Sequence, residues 1–137
     1  MEQKDFKYSD ITEKIIGVAM KVHSFFGLGF PEIVYKRTLI IELRNLGLKC
    51  DAEIEKEIFY QNILIAKRRL DLLVEEKILV ELKATGETNP RDYSQVINYL
   101  NVFHFEVGLL LNFGKESLEF KRFANLKGKS AKSINNP

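Results

Sequence analysis

The sequence predicts an α+β domain, close to the α/β class, with a central mixed β-sheet flanked by helices in the order ααβββαββ. Apolar residues recur at helical spacing before residue 48 and again after residue 90. The stretch between them changes toward a period of two and is rich in Val, Ile, Phe and Tyr. With 137 residues and 45% hydrophobic composition, the chain is long enough to bury one core.

Two helices are predicted at the start of the domain. In SDITEKIIGVAMKVHSFFG, Asp10 and Glu13 are spaced as a capping pair. The apolar residues that share one face of this helix are Ile11, Ile15, Ala19, Val22 and Phe26. The second helix is expected to begin near Glu32, because Pro31 suits a first helical position and Gly47 suits the position after the end. Its expected inner face consists of Leu39, Ile40, Leu43 and Leu46.

Three consecutive antiparallel strands are expected between residues 48 and 84. Turn signals at Gln61-Asn62 and at Glu75–Lys77 separate them. The alternation of apolar side chains within this region indicates that each strand buries at least one face.

A third helix and two short strands are predicted to complete the fold. The helix should run from Pro90 to about Phe103, with Asn89 as its cap and Asp92 in its first turn. The strands correspond to EVGLLLNF and SLEFKRF, which are separated by a turn at residues 114–116.

One domain is expected over residues 10–124, after an N-terminal lead of residues 1–9. Residues 125–137 are small, polar and basic, and are expected to form a disordered tail. The formal net charge is only +2, but residues 114–137 hold six Lys or Arg against two Glu, so any basic footprint is local. Cys50 is the single cysteine, and no apolar signal segment or membrane span is evident, which predicts a soluble cytoplasmic protein.

The predicted hairpin RRLDLLVEEKILVELKA places charged side chains among apolar ones. If its turn is Glu75–Lys77, one face carries Leu70, Leu72, Val74, Ile78, Val80 and Leu82. On the other face Asp71 lies opposite Glu81, and Arg69 lies opposite Lys83. Directly opposed like charges destabilise a strand pair, so another interaction must offset them. Diagonal ion pairs, Asp71 with Lys83 and Glu81 with Arg69, are one explanation. A divalent cation held between the two carboxylates is the other.

This arrangement of Asp71, Glu81 and Lys83 on adjacent strands resembles the core motif of the PD-(D/E)xK nuclease superfamily, with Leu70 in the place of the proline. Further matching segments are Val22-His23, GLGFPEIVY at residues 27–35, QVINYL at residues 95–100 and GLLLNFG at residues 108–114. Together, over about residues 10–123, they are similar to the GxxExxY family, a branch of that superfamily. The resemblance implies a restriction-endonuclease-like core and a metal-dependent nuclease that hydrolyses phosphodiester bonds, with DNA as the favoured substrate.

The resemblance also implies a set of site residues. Asp71 and Glu81 would bind Mg²⁺ or Mn²⁺, with the Leu82 carbonyl as a further ligand. Lys83 would orient or deprotonate the attacking water, or neutralise charge on the phosphate, and the sequence does not distinguish these roles. Glu32 would bind metal through water or a second ion, although an acid at a helix start is equally explained by the helix dipole. Gln95 would contact the E-x-K strand or DNA.

Structural roles are expected for the other motif residues. Tyr35 should pack in the core, with a hydrogen bond to a site acid as the alternative. Tyr99 should pack against its neighbours, and His23 should be a hydrogen-bonded structural histidine. The glycines of GLGF should form a tight connection between helices and not a phosphate-binding loop.

Two classes of function follow. The favoured one is a nuclease with nucleic acid, preferentially DNA, as its partner, and no membrane partner is expected. The alternative is a noncatalytic nucleic-acid-binding or protein-interaction module that keeps the fold, and hydrolysis of another phosphoester is a third, weaker option. The presence of all four site residues favours the enzyme. A homodimer is compatible with the sequence but is not indicated by it.

Overall fold

A computed structural model describes residues 7–125, and within this range the chain forms three helices and five strands in the predicted order. The helices are α1 (Ser9–Phe26), α2 (Glu32–Asn45) and α3 (Pro90–Phe103). The strands are β1 (Cys50–Tyr60), β2 (Ile63–Val74), β3 (Ile78–Lys83), β4 (Val107–Asn112) and β5 (Glu119–Ala124). The fold is therefore α+β, as predicted. The predicted basic tail, apart from Asn125, lies outside the described residues.

The five strands form one mixed sheet in the order β1-β2-β3-β4-β5. β3 and β4 are parallel because α3 carries the chain from the end of one to the start of the other. The other neighbouring strands are antiparallel. Val74 lies opposite Ile78, so the predicted turn at Glu75–Lys77 is confirmed.

Helices cover both faces of the sheet. On one face α1 and α2 contribute residues such as Ile15, Tyr35 and Leu39 to a core shared with Leu72 and Val80. On the other face α3 packs a smaller core of Leu70, Leu79, Val96, Leu100 and Leu110. Among residues 7–125, no helix is long and apolar enough to cross a membrane.

β1 and β2 extend beyond the rest of the sheet. β3 pairs with β2 only from Leu72 to Val74, whereas the pairing of β1 with β2 continues to Tyr60 and Ile63. We call residues 55–69 the arm. Its exposed apolar residues are Phe59, Tyr60, Ile63, Leu64 and Ile65. The arm is thus a two-stranded ribbon that leaves the three-layered part of the domain.

The predicted position of Leu70 is wrong. Strict alternation places it on the face of Leu72, but it packs with Leu79 in the core beneath α3. The pairing with β1 is irregular at this point, where Glu53 adopts a positive φ of 52° between two paired residues. Alternation is reliable only along a regular ladder, and Leu70 lies just beyond Asp71, which is paired with no residue of β1 (Cys50–Tyr60), on the same side as Leu79.

Two predicted helix starts also differ from the structure. α1 begins at Ser9, before Asp10, and its N-cap Tyr8 makes no side-chain capping bond, so the Asp10–Glu13 capping pair is wrong. Pro31 is the N-cap of α2 and not its first residue, although the expected start at Glu32 is confirmed. A shift of one residue is enough to remove a cap, because the free amides at the second and third helical positions are reached by the N-cap side chain.

The remaining helix signals agree with the structure in most respects. Gly47 follows the end of α2 with a φ of 83°, as a helix stop requires. Leu46, expected on the inner face, is instead exposed because the helix ends at Asn45. At α3, Asn89 and Asp92 form a capping box, so the predicted cap is confirmed.

Candidate active site

Asp71 and Glu81 lie where β2 and β3 separate, one position beyond the last paired residues, Leu72 and Val80. The Leu82 N–H donates to Asp71 Oδ2 at 2.8 Å, and the Asp71 N–H donates to Glu81 Oε2 at 3.1 Å. The carboxylates therefore take the place of the backbone carbonyls that would continue the ladder. Backbone donors fix both side chains in the gap between the strands.

The electrostatic environment of this gap is unfavourable to two ionised acids. Burial, followed by repulsion from Asp71, raises the pKa of Glu81 to about 8. Burial and then Asp71 also raise the pKa of Glu32 above its usual range. At neutral pH, burial and the neighbouring Asp71 therefore favour the protonated form of Glu81 in the absence of a bound cation.

Glu32 is positioned by a glycine-containing loop that Tyr35 fastens. Gly27 and Gly29 have φ values of 70° and 102°, which favour glycine. The Tyr35 hydroxyl donates to the Gly27 carbonyl and accepts from the Phe30 N–H at 3.3 Å. Tyr35 is fully buried, so its expected core position is confirmed, and its hydroxyl binds the loop and not a site acid. The residues of the G-x-x-E-x-x-Y motif therefore act together. The Tyr35 hydroxyl holds the glycine loop, and this loop places Glu32 at the start of α2.

Lys36 is a member of the site that the sequence did not indicate. Its Nζ lies 3.4 Å from Asp71 Oδ1 and 3.2 Å from Glu53 Oε2, and the residue is only 7% exposed. Burial opposes its charge, but Asp71 and Glu53 outweigh burial and raise the pKa of Lys36. The only sequence signal was its place four residues after Glu32, on the same side of the helix.

Lys83 is held by α3 and not by the acids of the gap. Its Nζ lies 3.5 Å from Asp92 Oδ1. Among the described residues, neither predicted diagonal ion pair forms, so the explanation of Asp71 and Glu81 through Lys83 and Arg69 is wrong. Lys83 nevertheless remains close enough for its charge to counteract part of the rise in the pKa of Glu81.

A cleft of about 440 Å³ opens beside Lys83, between the arm and α3. Gln95 lines this cleft, and its Nε2 donates to the Tyr99 hydroxyl at 2.9 Å. Tyr99 is buried in the core beneath α3, which confirms its packing role. Gln95 therefore borders the cleft next to Lys83, while its hydrogen bond goes to its own helix.

Asn112, at the end of β4, organises the loop that follows Lys83. Its buried Oδ1 accepts from the Thr85 N–H at 3.1 Å and the Gly114 N–H at 2.9 Å, and its Nδ2 donates to Thr88 Oγ1 at 2.9 Å. A Cβ at Gly114 would lie 2.4 Å from the Thr85 backbone, so this position requires glycine. These contacts explain the N-F-G end of GLLLNFG.

His23 is structural, as predicted. It is 7% exposed, and its Nε2 forms a 2.8 Å hydrogen bond with the Lys115 carbonyl. Its ring also stacks on Phe113, with 6.2 Å between centroids. His23 thereby connects α1 to the turn between β4 and β5.

The carboxylate oxygens of this site suit a small, hard cation that keeps several water ligands better than a metal ion whose ligands all come from the protein. Among residues 7–125, no group of three or more His, Cys, Asp and Glu side chains is arranged to hold a metal ion. Asp71 and Glu81 are adjacent, and the negative charge of Asp71 adds to the effect of burial in raising the pKa of Glu32. A magnesium-type ion needs only one or two carboxylates and keeps several waters. A cation there would also relieve the repulsion between the two acids.

Comparisons with known proteins agree with this architecture. The sequence profile of the PD-(D/E)XK nuclease superfamily matches residues 9–123. The crystal structure of SSO0001 is similar over 76% of this chain and 56% of its own chain, with a TM-score of 0.53 and 18% identity. That likeness concerns the fold, and this chain corresponds to little more than half of the SSO0001 chain. No curated protein matches the sequence.

Proposed function

This chain belongs to the PD-(D/E)XK nuclease superfamily, and on that basis we propose that it is a metal-dependent nuclease that hydrolyses phosphodiester bonds, with DNA as the favoured substrate. Nucleases of this superfamily generally use divalent metal ions. The observation that carries the proposal is the Asp71–Glu81 pair in the strand gap. A purely structural network would give each acid a cation, but Glu81 makes no ion pair within the described residues.

Asp71 and Glu81 are the proposed ligands of Mg²⁺ or Mn²⁺, with the Leu82 carbonyl and Glu32 as further proposed ligands. When bound, such an ion lowers the pKa of a water molecule and stabilises negative charge on the phosphate. Lys36 is a proposed positioning residue, because its ammonium group lies 3.4 Å from Asp71 Oδ1 and holds that carboxylate in place.

Lys83 is the proposed catalytic cation. Its contact with Asp92 fixes its ammonium group beside the cleft, where it can orient or deprotonate water, or neutralise charge on the reacting phosphate. Gln95, which lines the same cleft, is proposed to contact the substrate.

We also assign the chain to the GxxExxY branch of the superfamily. The support is local: Gly29, Glu32 and Tyr35 act together, since the tyrosine fastens the glycine loop that starts the helix carrying the acid. A single domain over residues 10–124 and a cytoplasmic location remain parts of the proposal.

The test is cleavage of single-stranded, duplex and branched DNA and of RNA, with Mg²⁺ or Mn²⁺ against a chelator. We expect metal-dependent cleavage of at least one substrate, and its loss in Asp71→Ala and in Lys83→Ala. Cleavage that survives in both variants would identify a contaminating enzyme. Salt-sensitive binding without cleavage would favour the noncatalytic module.

A further inference from the structure

The two faces of the arm differ in their balance of charge. On one face the register sets opposite charges against each other, in the pairs Glu55–Arg69 and Glu57–Lys67. On the other face Lys56 lies opposite Arg68, so two cations face each other. Opposed like charges destabilise a strand pair, and no acid of the arm compensates for this one.

The face with the two cations is directed toward α3. Arg68 lines the cleft between the arm and α3, and Lys56 Nζ lies 5.7 Å from the centre of the Phe105 ring, just beyond that helix. Leu70, two residues after Arg68, packs in the core beneath α3. Of the two cations, Arg68 therefore borders the cleft, while Lys56 lies near the end of α3.

The opposite wall of the cleft is one face of α3. Arg91, Ser94, Gln95 and Asn98 line it at helical spacing. Within residues 7–125, the Arg91 guanidinium has no acidic partner, and that of Arg68 donates only to the adjacent Lys67 carbonyl. The one acid of the lining, Asp92, is already engaged by Lys83. The cleft thus presents free guanidinium groups and neutral amide donors.

We infer that this cleft binds the phosphate backbone of the strand that is cut, on one side of the scissile bond, through Arg68 of the arm and Arg91 of α3. The inference rests on the proposed function, because Lys83 connects the cleft to the strand gap. Guanidinium groups form bidentate hydrogen bonds with phosphate oxygens, and side-chain amides donate to phosphate and sugar oxygens. The row of neutral donors beside the cations favours a polynucleotide over an acidic polypeptide.

The experiment measures binding of the full chain to labelled DNA and RNA oligonucleotides, in chelator so that no cleavage occurs, from 50 to 200 mM salt. Arg68→Ala and Arg91→Ala should each weaken binding and reduce the slope of log affinity against log salt by roughly 0.7–0.9, the value for one lost phosphate contact. Arg91→Lys should keep the slope. Lys14→Ala, an exposed lysine of α1 on the opposite layer, should leave affinity and slope unchanged.

The outcomes separate this inference from the proposed function. If the chain binds but never cuts, the proposed activity fails, while the slopes still report on the cleft. The inference is overturned if Arg68→Ala and Arg91→Ala leave the slope unchanged or if Lys14→Ala changes it equally. It is also overturned if the chain binds no nucleic acid, or binds poly-glutamate more tightly than any oligonucleotide. For a substrate that is cut, the arginine variants should raise KM and leave kcat near the unmodified value.

Discussion

β2 contains two regions that differ in their pairing and in their chemistry. From Leu72 to Val74 it is paired with both neighbouring strands and its side chains are buried. At Asp71 the ladder with β3 has ended and the ladder with β1 is irregular. The two acids become accessible where the sheet lacks regular backbone hydrogen bonds, and their carboxylates accept from backbone amides in place of the missing carbonyls.

The largest effect is expected from changing an acid of the gap while sparing a similar acid in the paired region. Asp71→Asn should lower the cleavage rate by at least about 10²-fold, the scale of removing one group that stabilises charge in a transition state. Asp51→Asn, opposite Leu73 in the paired region, is the control and should retain the rate. Equal rates for the two variants would remove Asp71 from the proposed chemistry.

Stability should respond in opposite directions in the two regions. Leu72→Ala empties part of the core and should reduce the free energy of unfolding by about 2–5 kcal/mol. Glu81→Gln removes a buried charge and should increase the stability of the metal-free protein at pH 8 or above. Urea denaturation in chelator measures both changes. Destabilisation by Glu81→Gln would mean that the carboxylate is structurally required.

Loss of the hydrogen bonds made by the Asn112 side chain should have an intermediate effect on stability. Asn112→Ala leaves the Thr85 and Gly114 amides without their acceptor, at a cost of about 1–3 kcal/mol in the free energy of unfolding. Thermal or urea denaturation measures this cost, with exposed Asn98→Ala as the matched variant that should change stability little. Similar stabilities for the two variants would show that water accepts the hydrogen bonds of the Thr85 and Gly114 amides in place of Asn112.

The pH dependence of stability should show the most gradual change, because it is spread over several pH units. The pKa of Glu81 is about 8 in the folded state and about 4.5 in the unfolded chain, so between these values the folded state holds a proton that the unfolded state has released. The free energy of unfolding of the metal-free protein should therefore fall as pH rises from about 4.5 to 8. Saturating Mg²⁺ or Glu81→Gln should flatten this slope, as urea titrations between pH 5 and 9 would measure. An unchanged slope in Glu81→Gln would assign the titration to other groups.

Local periodicity was enough to predict the order of the elements, the Glu75–Lys77 turn and the cap of α3, because each depends on neighbours in the sequence. The three acidic and basic residues of the hairpin were identified by their motif. Lys36 was missed because its contact with Asp71 joins residues distant in the chain, and nothing in the helix pattern specifies it. The face of Leu70 and the partners of Lys83 were wrong because both depend on where the ladder stops, which alternation alone does not encode.

The arm should fray locally while the rest of the sheet stays folded. Between residues 7 and 125, no third strand pairs with its distal part, and an isolated two-stranded hairpin is only marginally stable in water. Backbone amides near Phe59 and Leu64 should therefore exchange with deuterium through local fraying, whereas those at Leu72–Val74 should exchange only when the whole domain unfolds. Bound nucleic acid should then slow exchange in the arm before it affects any amide of the paired region.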